Sequence, residues 1–348
     1  MSFNVYDGAL RPTDALADQE IVADAGSTNP FLEGARRDAE MRDYTVRIVP
    51  GTPPPGGREP NTVYLASAGR AAYEGGILYR VYIPDLGTDD TGGVGLPEVL
   101  LRDPEGAMRT IPARCGAVQA DLPPTLTEAY ASADAPETPV SHPATNPLDW
   151  DVFFNLPYTQ ATLNTRGTPA NGPAAATVPA DRSGGYLSNV HNAYAYAYAT
   201  GHRRFGQVLV LRGRAPSAPA TRDGPAVMGS GELRYWSICE NERHSTRFVA
   251  CLADEDFVLD ETGWFTLVVS SPAQRPANAR RECGVNWLPW GASPETLLIL
   301  RHMLPAPGFS HAIQRVERPG DEDRVVGDYL PGGQHTSRTS FEALGCRI

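Results

Sequence analysis

Short stretches in which apolar and polar residues alternate run along most of the chain, separated by turn residues. Val, Ile, Leu and Tyr are frequent in these stretches, and Gly, Pro, Asn and Asp bound them, a pattern typical of β-strands. The alternation predicts strands at 44–49, 62–66, 76–83, 97–101, 107–114, 192–200, 207–212, 232–239, 246–251, 264–270 and 296–303.

Helical periodicity is rare in this sequence. It predicts short helices at residues 14–25, 123–133 and 309–316. The remainder of residues 1–42 is polar and predicts loops, and the tail 327–348 predicts irregular structure. The fold class that follows is mainly β with a few short helices.

The clearest alternation lies in the segment His191–Thr200. Successive side chains of a strand point to opposite faces. Asn192, Tyr194, Tyr196 and Tyr198 therefore share one face, and four alanines share the other. The alanine row would let another layer approach closely, whereas the tyrosine row would cover a broad surface with apolar rings and polar tips.

A long segment rich in Pro, Ala, Thr and Gly divides the chain. It covers residues 135–188, and only its part 149–154 is apolar enough to dock on a core. We therefore expect an N-terminal β-sandwich unit at 1–134, a connector at 135–188 and a C-terminal jelly-roll unit at 189–348. The similar spacings from Asn61 to Gly76 and from Asn192 to Gly206 fit either a duplicated unit or chance.

The amino-acid composition fits a β protein and argues against one class of partner. The 34 glycines and 32 prolines fit a turn-rich β protein, and the net charge is −11. All 30 basic residues are arginines, which fits either a GC-rich genome or a choice of arginine for bidentate contacts. An acidic chain without a basic block argues against a nucleic-acid partner.

The apolar runs bear on location. No run approaches the about 18 apolar residues that a membrane span needs. Residues Met1–Asp7 lack the features of a signal peptide. We therefore expect either a cytoplasmic protein or a mature chain whose leader was replaced by a start methionine.

Five cysteines are present, and none forms a C-x-x-C pair. Cys239 and Cys251 end two apolar stretches that flank the polar turn 240–245. If those stretches are hairpin strands, the two sulfurs lie opposite each other and can form a disulfide. The alternative is two buried free thiols.

Several motifs of the second half carry a resemblance: Leu-Arg-Tyr-Trp-Ser at 233–237, Asp-Glu-Thr-Gly-Trp-Phe-Thr-Leu at 260–267, Asn-Trp-Leu-Pro at 286–289 and Leu300-Arg301. With them, the segment 192–305 resembles a group of uncharacterised, mostly exported bacterial proteins with jelly-roll-type domains. The resemblance implies a jelly-roll sandwich and an extracytoplasmic or secreted location. It implies no particular reaction.

Motifs for hydrolases, nucleotide binding and zinc proteases are missing from the sequence. His191 and His302 lie in or beside predicted strands and are the first candidates for catalysis or metal binding, although a structural role is the simpler interpretation. The loop 85–93 holds three carboxylates, which fit either a calcium site or an ordinary polar turn. We predict no metal and no cofactor.

Two arginines stand inside apolar strands. Arg234 and Arg301 each need a carboxylate partner or a bound anion if they are buried. Glu232 and Glu240 are the sequence neighbours that could pair with Arg234. The functional alternative is a ligand pocket that Arg234 shares with Arg301 and other side chains, which are Asn192, Tyr194, Tyr196, Trp236 and Trp287.

Three functions compete at this point. The first is an exported protein that binds a carbohydrate, apolar or anionic ligand through this Tyr/Trp/Arg surface. The second is a jelly-roll enzyme, a hydrolase or lyase, with an Arg/carboxylate/His pocket. The third is a structural subunit that assembles into a homo-oligomer.

Overall fold

The structure is a computed structural model that describes residues 1–7, 11–65, 75–110, 146–159, 180–185, 187–200, 208–222, 225–242, 248–291 and 295–346. Within these ranges the chain is mainly β, with several antiparallel sheets and a few short helices, as the alternation predicts. The predicted helix at 123–133 and Cys115 lie outside the described residues.

Small sheets make up the described part of the N-terminal half. Strands β1, β2 and β5 form an antiparallel sheet in the order β2-β1-β5, β3 pairs with β4 in parallel, and β6 pairs with β7. The first two sheets share an apolar cluster that includes Phe3, Val5, Leu16 and Val63. The strands are β1 Ser2–Asp7, β2 Pro12–Ala17, β3 Arg47–Pro50, β4 Thr62–Leu65, β5 Gly75–Arg80, β6 Leu100–Arg102 and β7 Met108–Thr110.

The loop prediction for residues 1–42 is wrong at β1 and β2, and the predicted helix 14–25 is wrong too. In its place β2 continues to Ala17 and one 3-10 turn follows, at Asp18–Glu20. The strands of this sheet carry polar side chains at buried positions, so they lack the alternation of apolar and polar residues from which the other strands are predicted. Ser2 and Asn4 are fully buried, and the Asn4 side-chain amide donates to the Ser2 hydroxyl at 2.9 Å.

Two sheets pack face to face in the C-terminal half. The four-stranded sheet has the order β14-β13-β10-β16, and the five-stranded sheet has the order β12-β11-β15-β9-β8. Neighbours are antiparallel except β13 and β14. The strands are β8 Asp151–Val152, β9 Asn192–Thr200, β10 Val208–Arg214, β11 Leu233–Glu242, β12 Phe248–Ala253, β13 Trp264–Ser270, β14 Val285–Pro289, β15 Glu295–Pro305 and β16 Gly332–Thr336.

The main core lies between these two sheets. The alanines of β9 face it, as alternation predicts, opposite large side chains such as Leu211 and Phe265. Trp150, Val152 and Phe154 also enter this core, so the apolar part of the connector docks where the sequence indicates. The other face of the five-stranded sheet, called here the outer face, carries the tyrosines of β9.

The end of the chain is more regular than the sequence predicts. The tail 327–348 contains β16, which pairs with β10, and a short helix at Arg338–Glu342. By contrast, the predicted helix 309–316 is only a 3-10 turn at Ile313–Arg315. A second short helix lies at Glu322–Val326.

Two disulfides are formed by the described cysteines. Cys239 and Cys251 face each other on β11 and β12, which confirms the predicted bridge. Cys283 pairs with Cys346, which the sequence did not indicate. This second bridge joins the residues just before β14 to those after β16, and these two strands are the opposite edges of the four-stranded sheet.

None of the helices in the described residues combines the length and the apolar character needed to cross a bilayer.

Candidate functional site

The outer face of the five-stranded sheet presents one arginine in its middle. Ser237, Arg301 and Tyr194 lie side by side across β11, β15 and β9. The half-buried Arg301 guanidinium lies over the Tyr194 ring, 5.8 Å from its centroid. It also donates a hydrogen bond to the Cys239 sulfur and is 3.8 Å from the Cys251 sulfur.

The N-terminal half brings a second arginine to this face. Arg80, at the end of β5, donates to the Tyr6 hydroxyl at 2.7 Å and to the Leu187 carbonyl at 2.5 Å. Two residues further on, the Tyr82 ring lies 5.0 Å from the Tyr235 ring. We call the resulting group, which joins both halves of the protein, the arginine–tyrosine cluster: Tyr6, Arg80, Tyr82, Tyr194, Tyr235 and Arg301.

Two positive charges and only neutral partners meet in this cluster. Burial raises the pKa of Tyr82 to about 12 and also raises the pKa of Tyr6 and Tyr235, so these phenols stay neutral. Within the described residues, the partners of Arg80 and Arg301 are phenols, a carbonyl and sulfur atoms, and no carboxylate pairs with either.

Asn192 is next to the cluster. Its side-chain amide points to the Tyr82 hydroxyl at 3.4 Å, and its buried Oδ1 has no hydrogen-bond partner. The buried Nε of Arg80 also has no hydrogen-bond partner. These atoms leave donor and acceptor capacity at the site that a ligand could use.

Three of the predicted site residues come together here: Asn192, Tyr194 and Arg301. Tyr196 and Tyr198 lie on the same face but are buried, 6% and 7% exposed, against Leu297 and Phe153. The tyrosine row is therefore not the broad open surface that alternation alone predicts, and only Tyr194 takes part in the cluster.

The two predicted tryptophans lie elsewhere. Trp236 is 2% exposed in the main core and packs on Phe257 and Phe265, with ring centroids 4.6 and 5.7 Å away. Trp287 lies on the four-stranded sheet, where the Arg275 guanidinium lies 4.2 Å from its ring. The Trp236 side chain thus faces the main core, on the opposite side of the five-stranded sheet from the outer face, and Trp287 belongs to the other sheet.

Arg234 has a carboxylate partner, but not Glu232 or Glu240. Its Nη2 lies 3.4 Å from Oδ2 of Asp18, and both side chains are at most 10% exposed. Burial alone would raise the pKa of Asp18, but the charges of the Met1 amino group and Arg234 outweigh burial and lower it. This places Arg234 in a buried ion pair between the two halves.

The strict alternation expected around Arg234 also fails. Strict alternation would place Leu233 and Trp236 on opposite faces of the strand, yet both enter the main core. The neighbouring strand is irregular at this point, since Leu304 has a left-handed φ of 48°. Asn286 lies within β14, where its Oδ1 accepts from the backbone N–H of Val258 and its amide donates to the Val258 carbonyl.

Within the described ranges, His191 has a carboxylate partner. Its Nε2 lies 3.3 Å from Oε2 of Glu20, and its buried Nδ1 has no hydrogen-bond partner. A carboxylate that holds one ring nitrogen leaves the other free to take or give a proton, as a general base does. This pair is the observation that favours the enzyme hypothesis.

His302, the other candidate, is wholly buried between the sheets. The backbone N–H of Ile313 donates to its Nδ1 at 3.2 Å, and the Gln314 amide donates to its carbonyl at 2.6 Å. Complete burial lowers the pKa of His302 to about 3, from an ordinary 6.5. This histidine is therefore a neutral core residue at physiological pH.

The burial of His302 predicts a loss of stability in mild acid. The unfolded chain binds a proton at this histidine below about pH 6.5, but the folded protein does not until about pH 3, so this contribution to stability is lost as the pH falls through this window. From pH 8 to pH 5 the free energy of unfolding should fall by about 2 kcal/mol through His302 alone. Urea unfolding at both pH values tests this.

His302→Gln is the informative variant, because glutamine keeps a hydrogen-bond acceptor and cannot titrate in this range. We expect it to remove about 2 kcal/mol of the pH dependence. The exposed His311 supplies the control, since His311→Gln should retain the wild-type dependence. An unchanged pH profile in His302→Gln would contradict the assignment.

The acidic loop 85–93 forms a turn. The Asp89 carboxylate accepts hydrogen bonds from the backbone N–H groups of Thr91 and Gly93 and from the Thr91 hydroxyl. Across the part of the chain that the structure describes, no group of three or more His, Cys, Asp or Glu side chains is arranged to hold a metal ion.

No protein-family model matches the sequence, and no curated protein matches it. Among solved structures, the chain is similar to an uncharacterized protein from Burkholderia cenocepacia, with 13% identity over 88% of this chain and 66% of that one, and a TM-score of 0.40. A Vibrio parahaemolyticus protein is 16% identical over 47% of this chain and 37% of its own, with a TM-score of 0.27. The chain thus spans less than two thirds of the length of either.

Proposed function

We propose that the protein binds an anionic ligand at the arginine–tyrosine cluster. The observation that carries this proposal is the pair of half-buried guanidinium groups, Arg80 and Arg301, which have no carboxylate partner among the described residues. A partly desolvated charge is costly unless an opposite charge compensates it. A carboxylate or sulfate group on a ligand supplies that charge, and guanidinium groups bind such groups with two parallel hydrogen bonds.

The tyrosines narrow the class of ligand. The partly exposed Tyr82 and Tyr194 offer ring surfaces, with Tyr235 buried behind Tyr82, and the amide of Asn192 adds hydrogen-bonding capacity. Aromatic rings pack against the apolar faces of a sugar, while amide and phenol groups form hydrogen bonds with its hydroxyls. We therefore favour a sugar that carries a carboxylate or sulfate over a simple inorganic anion or an apolar ligand.

The two disulfides support an extracytoplasmic location as part of the same proposal. Disulfides persist in oxidising compartments and are rare in the cytosol, where thiols are kept reduced.

Calorimetric titration with glucuronate and with sulfate, at constant ionic strength, tests the binding. We expect Arg301→Gln to weaken glucuronate binding about ten-fold or more, because a charge-assisted hydrogen bond contributes about 1.5–3 kcal/mol. Arg212→Gln is the matched control, since Arg212 lies on the other sheet and pairs with Asp260 at 2.9 Å. If the wild type binds neither probe, or Arg301→Gln binds as the wild type does, the proposal is wrong.

A hydrolase or lyase is the second candidate, favoured by the His191–Glu20 contact. In that case Glu20 orients the imidazole and Nδ1 moves a proton on the substrate. Recovery of the titrated ligand distinguishes the two candidates. A glycan recovered intact by mass spectrometry supports binding alone, whereas cleaved products that disappear in His191→Asn support the enzyme.

A further inference from the structure

The bridge between Cys239 and Cys251 differs from an ordinary structural disulfide in its surroundings. The Arg301 guanidinium donates a hydrogen bond to the Cys239 sulfur and lies 3.8 Å from the Cys251 sulfur. We propose that this bridge is a thiol–disulfide exchange site, whose substrate is a dithiol reductant and whose leaving group is the Cys239 thiolate.

The two sulfurs are unequally accessible. Cys239 is fully buried on β11, which has a neighbouring strand on each side. Cys251 is only partly buried and lies on β12, the edge strand of the five-stranded sheet. An incoming thiolate can therefore reach the Cys251 sulfur more readily, and Cys239 is the sulfur that leaves.

The atoms and electrons of this exchange balance with the dithiol as the only other reactant. The thiolate of the reductant attacks the Cys251 sulfur, the S–S bond breaks, and its electron pair goes to Cys239 as a thiolate. The second thiol of the reductant gives up its proton and attacks the mixed disulfide, which releases Cys251, and that thiolate takes up a proton. The reductant ends as a disulfide and has passed two electrons to the protein.

The position of Arg301 explains why Cys239 is the better leaving group. A guanidinium next to a sulfur lowers the pKa of its thiol, and a thiol of lower pKa leaves faster. Arg301 is half-buried and has no carboxylate partner within the described residues, so its charge is available to the thiolate. If the proposed function holds, the same thiolate competes with the anionic ligand for Arg301, and reduction weakens binding.

Reduction kinetics test the proposal on the full-length oxidised protein. Dithiothreitol is added at pH 7, thiols are alkylated at intervals, and both bridges are followed by peptide mass spectrometry in the same sample. We expect Arg301→Gln to slow the reduction of Cys239–Cys251 about ten-fold, whereas Arg301→Lys, which keeps the charge, retains most of the rate. Cys283–Cys346 is the internal reference, and its rate should not change.

Equal rates in the wild type and Arg301→Gln would overturn the proposal. So would a reduction that proceeds only at the rate of global unfolding, measured by circular dichroism in the same buffer. If Arg301→Gln does not fold, the wild-type rate compared with that of Cys283–Cys346 and with global unfolding still decides, since reduction of Cys239–Cys251 no faster than either would contradict the proposal. Glucuronate binding is measured on the oxidised protein, so the failure of ligand binding and the failure of exchange are separate results.

Discussion

Replacement of Trp236 by alanine is expected to lower the free energy of unfolding by about 3–5 kcal/mol, the range typical of large aromatic truncations in a core. The indole is 2% exposed and packs on Phe257 and Phe265. Its removal leaves a cavity between the sheets that these two rings cannot fill without moving. Urea unfolding followed by circular dichroism measures the effect.

Trp287→Ala is the control for this variant. Trp287 is only half-buried, lies against the Arg275 guanidinium and donates to the Ser270 hydroxyl at 3.1 Å, so we expect a smaller loss of about 1–2 kcal/mol. If Trp236→Ala were as stable as Trp287→Ala but failed to bind glucuronate, Trp236 would be a ligand-binding residue and not a core residue.

Arg234→Leu is expected to destabilise the protein by about 3 kcal/mol, because removal of one partner leaves the Asp18 carboxylate buried and less well compensated. The cost arises where the N-terminal and C-terminal halves meet, so the two halves should separate more easily. Limited proteolysis and urea unfolding both measure this. Loss of glucuronate binding at unchanged stability would instead support the ligand role that the sequence suggested.

A double-mutant cycle separates the ion pair from other effects. Asp18→Asn combined with Arg234→Leu should destabilise by less than the sum of the single changes, since each change removes the same interaction. Arg36→Leu is the matched control, because Arg36 and Asp38 form an exposed pair at 76% and 56% exposure. Such an exposed pair contributes little to stability, because water and salt screen it.

Alternation predicted the C-terminal sandwich well, for a physical reason. Its strands bury one face against a common core, so every second residue along the sequence faces the core, as the alanines of β9 do. The segment 264–270 coincides with β13, and the two strands that carry Cys239 and Cys251 lie where the pattern predicts them. The predicted turn 240–245 is misplaced, because Glu240–Glu242 continue β11. The pattern misses a strand such as β1 because its buried positions include the polar residues Ser2 and Asn4, whose side chains share a hydrogen bond.

The site was predicted only in part, because its residues come from distant parts of the chain. Asn192, Tyr194 and Arg301 lie on strands that alternation identified, but Tyr6, Arg80 and Tyr82 come from the N-terminal half. Arg80, like Arg234, is an arginine within an apolar stretch of the sequence. Which arginine meets a carboxylate depends on tertiary contacts, such as Arg234 with Asp18, that spacing does not reveal.

The place of β16 in the four-stranded sheet has a consequence for synthesis. It pairs with one side of β10, yet about 120 residues separate the two in the chain. During translation one edge of β10 therefore stays unpaired until Gly332–Thr336 have been synthesised and have left the ribosome. An unpaired strand edge forms hydrogen bonds readily with another chain, so truncated chains that end before Gly332 should aggregate. The bond between Cys283 and Cys346 can form only after β16 has been synthesised, because Cys346 follows this strand in the chain, and in the folded protein it links the residues that flank both edge strands of the sheet.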